Sequence, residues 1–136
     1  MLENAMTPDA ALHRWSDLRL EKVTAMVSCK VIAGERQTMI QAYLKRGAQI
    51  PVHAHAADQL VYILRGALRC VVGTREIAVR EGEVLHVPAG LRHQAEAVED
   101  TFELVVFAPG QSTGEDRPRA AGSPPADAGG SGRSPV

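Results

Sequence analysis

The chain has 136 residues, enough for one domain with a core of ordinary size and too few for two. Fifteen basic side chains against sixteen acidic ones leave a net charge of −1, scattered rather than clustered, which excludes nucleic acid and an anionic membrane surface as partners. The opening run MLENAMTPDAALHRW lacks the basic start and apolar stretch of a signal peptide, and no later run is long enough to span a membrane, so a soluble, cytoplasmic protein is expected.

Thr7-Pro8-Asp9 has the form of an N-cap with proline at the first helical position. It predicts a short helix reaching about Trp15, with His13 on its surface, inside an N-terminal extension 1–19. From 23 to 107 short apolar pieces alternate with Gly, Pro or charged turns, the pattern of an all-β sandwich or barrel. The predicted strands are 23–32, 38–44, 58–65, 67–72, 75–79, 84–87, 93–97 and 101–107. Between two of them Gly73-Thr74 suits a two-residue type II′ hairpin, where Gly supplies the positive φ. Cys29 and Cys70 have neither metal nor redox spacing and read as small buried hydrophobes. Residues 110–136 hold half of the chain's Gly and half of its Pro, with no aromatic side chain. Such a segment cannot bury enough to offset its ordering entropy, so a disordered tail is expected.

The residues that carry chemistry lie in two blocks. The run GAQIPVHAHAADQLVYILRG sets His53, His55 and Gln59 between Gly47 and Gly66, and the run GEVLHVPAGLRH brings His93. His53 and His55 are two residues apart, so on a strand they share a face. Gln59 keeps that face if the strand resumes after a turn at Ala56 and Ala57, and His93 must arrive from another strand. Three imidazoles and an amide oxygen suit one divalent transition metal such as Mn, Fe, Ni or Zn. Four protein donors leave open positions on an ion that takes five or six, as a catalytic site needs. With Gln rather than a carboxylate at 59, the ion keeps its full charge, which favours a small-molecule substrate that is anionic.

Alternation along the strands indicates what surrounds these donors. If Gln59 points inward, so do Val61 and Ile63, and Tyr62 turns outward. Ile40, Ala42 and Leu44 share one face of their strand and Gln41 and Tyr43 the other; even steps from His93 reach Ala95 and Ala97; Val105 and Phe107 share a face. The expected cavity is therefore apolar, lined by Ile40, Ala42, Val61, Ile63, Val105 and Phe107, with the metal at its end. Asp58, Glu96 and Tyr62 point away by parity, so no protein acid or base is expected inside. His86 has the opposite parity to Leu85 and Val87 and reads as a surface residue.

The two blocks resemble the paired motifs of the cupin superfamily. Gly47, His53, His55, position 59 and Gly66 match the first; Gly82, Pro88, Gly90, His93 and position 97 match the second. Gln59 stands where Glu is usual and Ala97 where Asn is usual. The resemblance implies a double-stranded β-helix, a jelly-roll-like barrel, over 20–109, with His53, His55, Gln59 and His93 holding the metal. Trp15, KRGAQIPVHAH, YILRG and FELVVFAP are similar to the small pectin-degradation cupins, which convert unsaturated uronates to the linear keto-sugar. That type has an Asp at the position of Val105 and an Arg near Gln111, so its substrate is not carried over.

Three functions stay open at this point. The first is a metal-dependent lyase or isomerase acting on a small carbonyl or carboxylate substrate. The second is a non-haem iron dioxygenase, and the third a non-catalytic module that binds or senses a small molecule or sugar. Cupin sheets commonly pair through an edge strand or outer face, so the resemblance implies a homodimer, with 23–32 and Tyr62 as apolar surface. Deleting the residues beyond Gly110 is expected to leave the melting temperature nearly unchanged in a thermal scan. A drop of more than about 4 °C, on the order of 1 kcal/mol for a domain of this size, would show that the tail docks.

Overall fold

Ten strands form in the computed structural model, which describes residues 9–108. They are β1 (Glu21–Thr24), β2 (Val27–Ala33), β3 (Thr38–Leu44), β4 (Gln49–His53), β5 (Asp58–Arg65), β6 (Ala67–Val72), β7 (Arg75–Arg80), β8 (Val84–Val87), β9 (His93–Ala97) and β10 (Thr101–Ala108). Two antiparallel sheets result, one of six strands in the order β1-β2-β3-β10-β5-β8 and one of four in the order β4-β9-β6-β7. From β3 onward the chain changes sheet at every connection except the β6–β7 hairpin, which is the winding of a double-stranded β-helix. No helix among the described residues is long and apolar enough to cross a membrane.

The alternation read from the sequence is what builds the core. Burial along β3 and β10 changes at every step, so the inner face of the large sheet is laid down in rows across paired strands. One row holds Thr38, Phe107, Gln59 and Val87; the next Ile40, Val105, Val61 and Leu85; the next Ala42, Glu103 and Ile63. Ile50, Leu68, Cys70, Val72 and Ala97 come from the small sheet and join the same cluster, so a single core lies between the sheets. Tyr43 and Tyr62 face out, as their parity requires.

Several predicted elements are corrected. Thr7 and Pro8 of the expected helix lie outside the described residues, as does the 110–136 tail; no helix runs from Asp9 toward Trp15, and the local structure is a single 3-10 turn, Trp15–Asp17. Leu12 and His13 are exposed there, so a short helix would have no apolar face to dock and little to hold it. The predicted strand 23–32 is two strands. Thr24 pairs with Val27, leaving Ala25 and Met26 as a two-residue loop closed by the Met26 N–H donating to Thr24 Oγ1 at 3.0 Å. That hairpin contains no Gly, Pro, Asn or Asp, so it carries none of the usual turn chemistry. β4 is a strand beyond those predicted, and its Pro51 has no N–H to give to a ladder. The Gly73-Thr74 loop does join β6 to β7, with Val72 paired to Arg75 and Gly73 at φ +62.

One glycine is required by space as well as conformation. Gly66, between β5 and β6, has φ +94, and a Cβ there would fall on the Asp100 carbonyl and lie 2.6 Å from Thr101 Oγ1. That hydroxyl is not free to move, because it accepts from the Ala67 N–H at 3.2 Å and donates to the Ala67 carbonyl at 3.1 Å. Gly66→Ala should therefore destabilise the fold by about 2 kcal/mol or more in urea unfolding, through strain and the broken Thr101 clasp. A loss below about 0.5 kcal/mol would show that the loop absorbs a side chain.

Candidate metal centre

His53 is the last residue of β4 and His93 the first of β9, and antiparallel pairing sets them directly opposite each other. Their ring centroids are 4.2 Å apart. His55 lies beyond the end of β4, not on a strand, and its ring still comes within 5.4 Å of His53 and 5.2 Å of His93. What holds it is a link between the two sequence blocks: the His55 carbonyl accepts from the Gly90 N–H at 2.7 Å. Gly90 sits at φ +82, a conformation other residues rarely adopt. On its other side the His55 ring stands edge-on to Phe107, 5.0 Å away. Gln59 does not continue the strand of the histidines. It belongs to β5 in the six-stranded sheet, where it pairs with Val87 and Phe107, and its side chain comes in from the opposite wall, 2 % exposed.

One nitrogen from each of the three rings falls within 4.8 Å of the other two, the one such cluster among the described residues. The backbone decides which nitrogen is available. His53 Nδ1 lies 2.9 Å from the Pro51 carbonyl, His55 Nδ1 3.2 Å from that of Ala57, and His93 Nδ1 2.8 Å from that of Leu91. A carbonyl only accepts, so each Nδ1 carries the proton and each Nε2 keeps its lone pair. The Nε2 atoms of His55 and His93 and Oε1 of Gln59 are buried with no hydrogen-bond partner. Orphaned acceptors of this kind are costly to bury, and a cation held among the three rings would satisfy the imidazole nitrogens. Burial also pushes the His93 pKa below its ordinary value, with proximity to His55 acting the same way against the Leu91 hydrogen bond, so the ring stays neutral as a ligand must. The donor set fits a divalent transition metal.

A sequence model of the cupin domain matches residues 40–110, just over half of the chain. The chain belongs to the cupin family. An uncharacterised protein of Streptomyces coelicolor is 34 % identical to it over 80 residues, which cover 57 % of this chain and 76 % of that one. Among solved structures, KdgF from a Halomonas species superposes with a TM-score of 0.70 at 21 % identity, over 74 % of this chain and 94 % of that chain. Oxalate decarboxylase of Bacillus subtilis, a protein with Mn(II) centres, gives 0.64 at 21 % identity, over 78 % of this chain and 32 % of that one. At these identities the likeness to the two structures is one of fold.

Beside His93 the barrel of this cupin holds a narrow cavity of about 30 Å³, room for a water or two. Gln59 and His93 line it together with aliphatic side chains. Of the residues expected to wall it, Val61 does. Ile40, Ala42, Ile63, Val105 and Phe107 are instead buried in the packed core, and the remaining apolar wall comes largely from the small sheet and β8, including Ile50, Leu68, Val72 and Val87. Parity assigns a residue to the inside of a barrel; it does not distinguish a packed position from one beside a void. His86 is on the outside, 2.7 Å from Asp58 Oδ1, as its parity required.

The expectation of an interior without a protein acid is overturned by Glu103. It lies on the inner face of β10, 1 % exposed, on the same cavity, with neither carboxylate oxygen hydrogen-bonded. The signal was present in the sequence: Glu103 is two residues from Val105 and four from Phe107, so the same even count that turned those side chains inward turns this one inward too. Burial raises its pKa from the ordinary 4.5 to about 8. Between those values the folded chain holds a proton that the unfolded chain has lost, so the group's contribution is complete below pH 4.5 and lost as the pH rises through about 8. His93 acts in the opposite sense, its contribution present above its ordinary 6.5 and lost as the pH falls through its depressed folded value. In metal-free protein, Glu103→Gln should gain stability relative to wild type as the pH rises from 5 to 8, on the order of 3 kcal/mol across the range. Urea unfolding at both pH values reads this directly, and a difference that does not change with pH would contradict a protonated buried carboxyl.

Proposed function

We propose that this cupin is a metal-dependent enzyme of lyase or isomerase type, acting on a small oxygenated substrate through a carbonyl or carboxylate group, with His53, His55, His93 and Gln59 holding one divalent metal. The observation that carries this reading is the convergence of three imidazoles whose Nδ1 atoms are engaged by backbone carbonyls, so that their lone-pair nitrogens face one point. A divalent ion bound there supplies Lewis-acid polarisation of a substrate oxygen. The side chains set the conditions under which that polarisation acts. None of the four donors carries a negative charge, so nothing in the cluster offsets the charge of the ion, and an anionic substrate group is favoured over a neutral one. The apolar walls below exclude bulk water and strengthen electrostatic interactions at the cluster. Gln59 and Phe107 approach from the large sheet and His53 and His93 from the small one, so substrate is oriented between the two walls.

A second reading, a non-haem iron dioxygenase, is favoured by one feature, the run of aliphatic side chains from Ile50, Val61, Leu68, Val72, Leu85 and Val87 along the cavity, since oxygen chemistry calls for a site that holds little water. Uronate chemistry of the pectin-degradation type is disfavoured by Val105, which stands where that type has its acid. Outside the barrel, Met39, Tyr43, Leu60, Tyr62 and Val84 are exposed on one face of the six-stranded sheet, with Tyr43 stacked on Phe102 at 4.5 Å, and we assign this face to a homodimer contact. Both cysteines are buried free thiols, which suits a cytoplasmic setting.

Elemental analysis of protein purified without chelator or polyhistidine tag tests the site. About one metal per chain is expected, and His55→Ala should weaken metal binding by more than about a hundredfold while the far-ultraviolet circular dichroism stays that of a folded β protein. Iron would move the assignment to oxygen chemistry; zinc, nickel or manganese would support the lyase or isomerase reading. Full occupancy in His55→Ala would sink the ligand assignment.

A further inference from the structure

Glu103 is the one buried carboxylic acid among the described residues, and the proposed chemistry leaves it unused. Its neighbours across the large sheet are Ala42 and Ile63, both without exposed surface, so an aliphatic side chain would fill the same place with no polar atoms to desolvate. An acid kept there against that cost calls for a function. Its position supplies one. The cavity that Glu103 lines is also lined by Gln59 and His93, so the carboxyl and the donor cluster share one low-dielectric interior. Phe107 pairs with Gln59 and is four residues along β10 from Glu103, a separation of roughly 13 Å. Four residues of strand thus separate the carboxyl's row from that of Gln59, a span over which a charge acts through a low-dielectric interior. The four donors are neutral, so a divalent ion would bring two uncompensated positive charges into the barrel.

We propose, resting on the metal site assigned above, that Glu103 is the internal counter-charge of that site: neutral in the metal-free barrel, it gives up its proton to solvent when a divalent cation enters the histidine cluster. The O–H bond of the carboxyl breaks, the cation gains a carboxylate within the same interior, and one proton leaves the protein for each metal taken up. The surroundings allow no nearer compensation. Among the groups that face Glu103, the positions contributed by β3, β4, β5 and β8 are aliphatic apart from Gln59, and the ionisable ones are Cys70 on β6 and His93 on β9 at the far end of the cavity. Cys29, paired with Ala42, lies one strand further, beside Glu21. Burial pushes the thiols of Cys29 and Cys70 up to about 11 and about 12, so both stay uncharged at neutral pH. No lysine or arginine is buried among the described residues. At an effective dielectric constant of about 20, two charges at this distance favour ionisation of the carboxyl on the order of a hundredfold. For an acid whose pKa is about 8, that change moves half-ionisation from the alkaline to the acid side of neutrality.

The test is calorimetric titration of Zn²⁺ into the metal-free full-length chain at pH 7, in buffers of different ionisation enthalpy, for wild type and Glu103→Gln. Wild type should release about one proton more per zinc than the variant. Its advantage in zinc affinity should be small at pH 5.5 and grow more than tenfold by pH 8. The infrared carbonyl band of a protonated carboxyl, present in metal-free wild type, should disappear as zinc saturates the site. Equal stoichiometry with equal proton release in both proteins would overturn the role of Glu103 and leave the metal site standing. If Glu103→Gln does not fold, the wild-type infrared band decides alone, and its persistence at full zinc occupancy overturns the proposal. Failure of the wild type to take up zinc overturns the site and the counter-charge together.

Discussion

The pairing of β4 with β9 is the constraint on which the centre depends. It sets His53 opposite His93, and every other donor is positioned relative to that pair. A slip of one residue in this register would turn His93 to the outside and bring Arg92 or Gln94 in its place, because side chains alternate faces with every step. Around the pair, the backbone does work that the side chains cannot. Pro51, Ala57 and Leu91 each offer a carbonyl to one imidazole, and the Gly90 N–H ties the His55 loop to the second sequence block. Ring tautomer and ring direction are thus properties of loop geometry, set by the turns that Gly and Pro residues allow.

The interior is kept electrically neutral by opposite adjustments of two kinds of group. Burial disfavours charge, so it drives the base His93 toward its deprotonated form and the acid Glu103 toward its protonated form. The thiols of Cys29 and Cys70 follow the acid. Such a core tolerates polar side chains without ion pairs, which is consistent with the absence of buried lysine or arginine among the described residues. It also leaves the electrostatics of the barrel to be set by whatever cation occupies the cluster, since a charge in an apolar interior acts over a longer range than one at the surface.

The likeness to KdgF and to oxalate decarboxylase concerns the frame. One barrel carries different chemistries because the inner rows of its strands can be changed without altering the turns that wind it. In this chain the substitutions that matter are in those rows: Gln59 in place of a carboxylate ligand, an aliphatic Val105 where the pectin-degradation cupins have an acid, and an acid two residues deeper at Glu103.

Much of this was determined by the sequence alone. Spacing of Gly, Pro and His along two short blocks was enough for the fold class and the identity of the clustered side chains, because turns and strand alternation are local properties. Inner and outer faces of β3, β5 and β10 followed from the same count, and continuing that count by one step would have found Glu103. Tertiary structure alone decided the rest. That His55 sits on a loop, that Gln59 belongs to the other sheet, and that an apparent single strand is the β1–β2 hairpin all depend on which strands pair. Whether an inward residue such as Val61 borders a cavity, or one such as Ile63 is packed solid, depends on how closely the two sheets approach. These are long-range matters, settled by contacts between residues far apart in the chain, and local pattern carries no record of them.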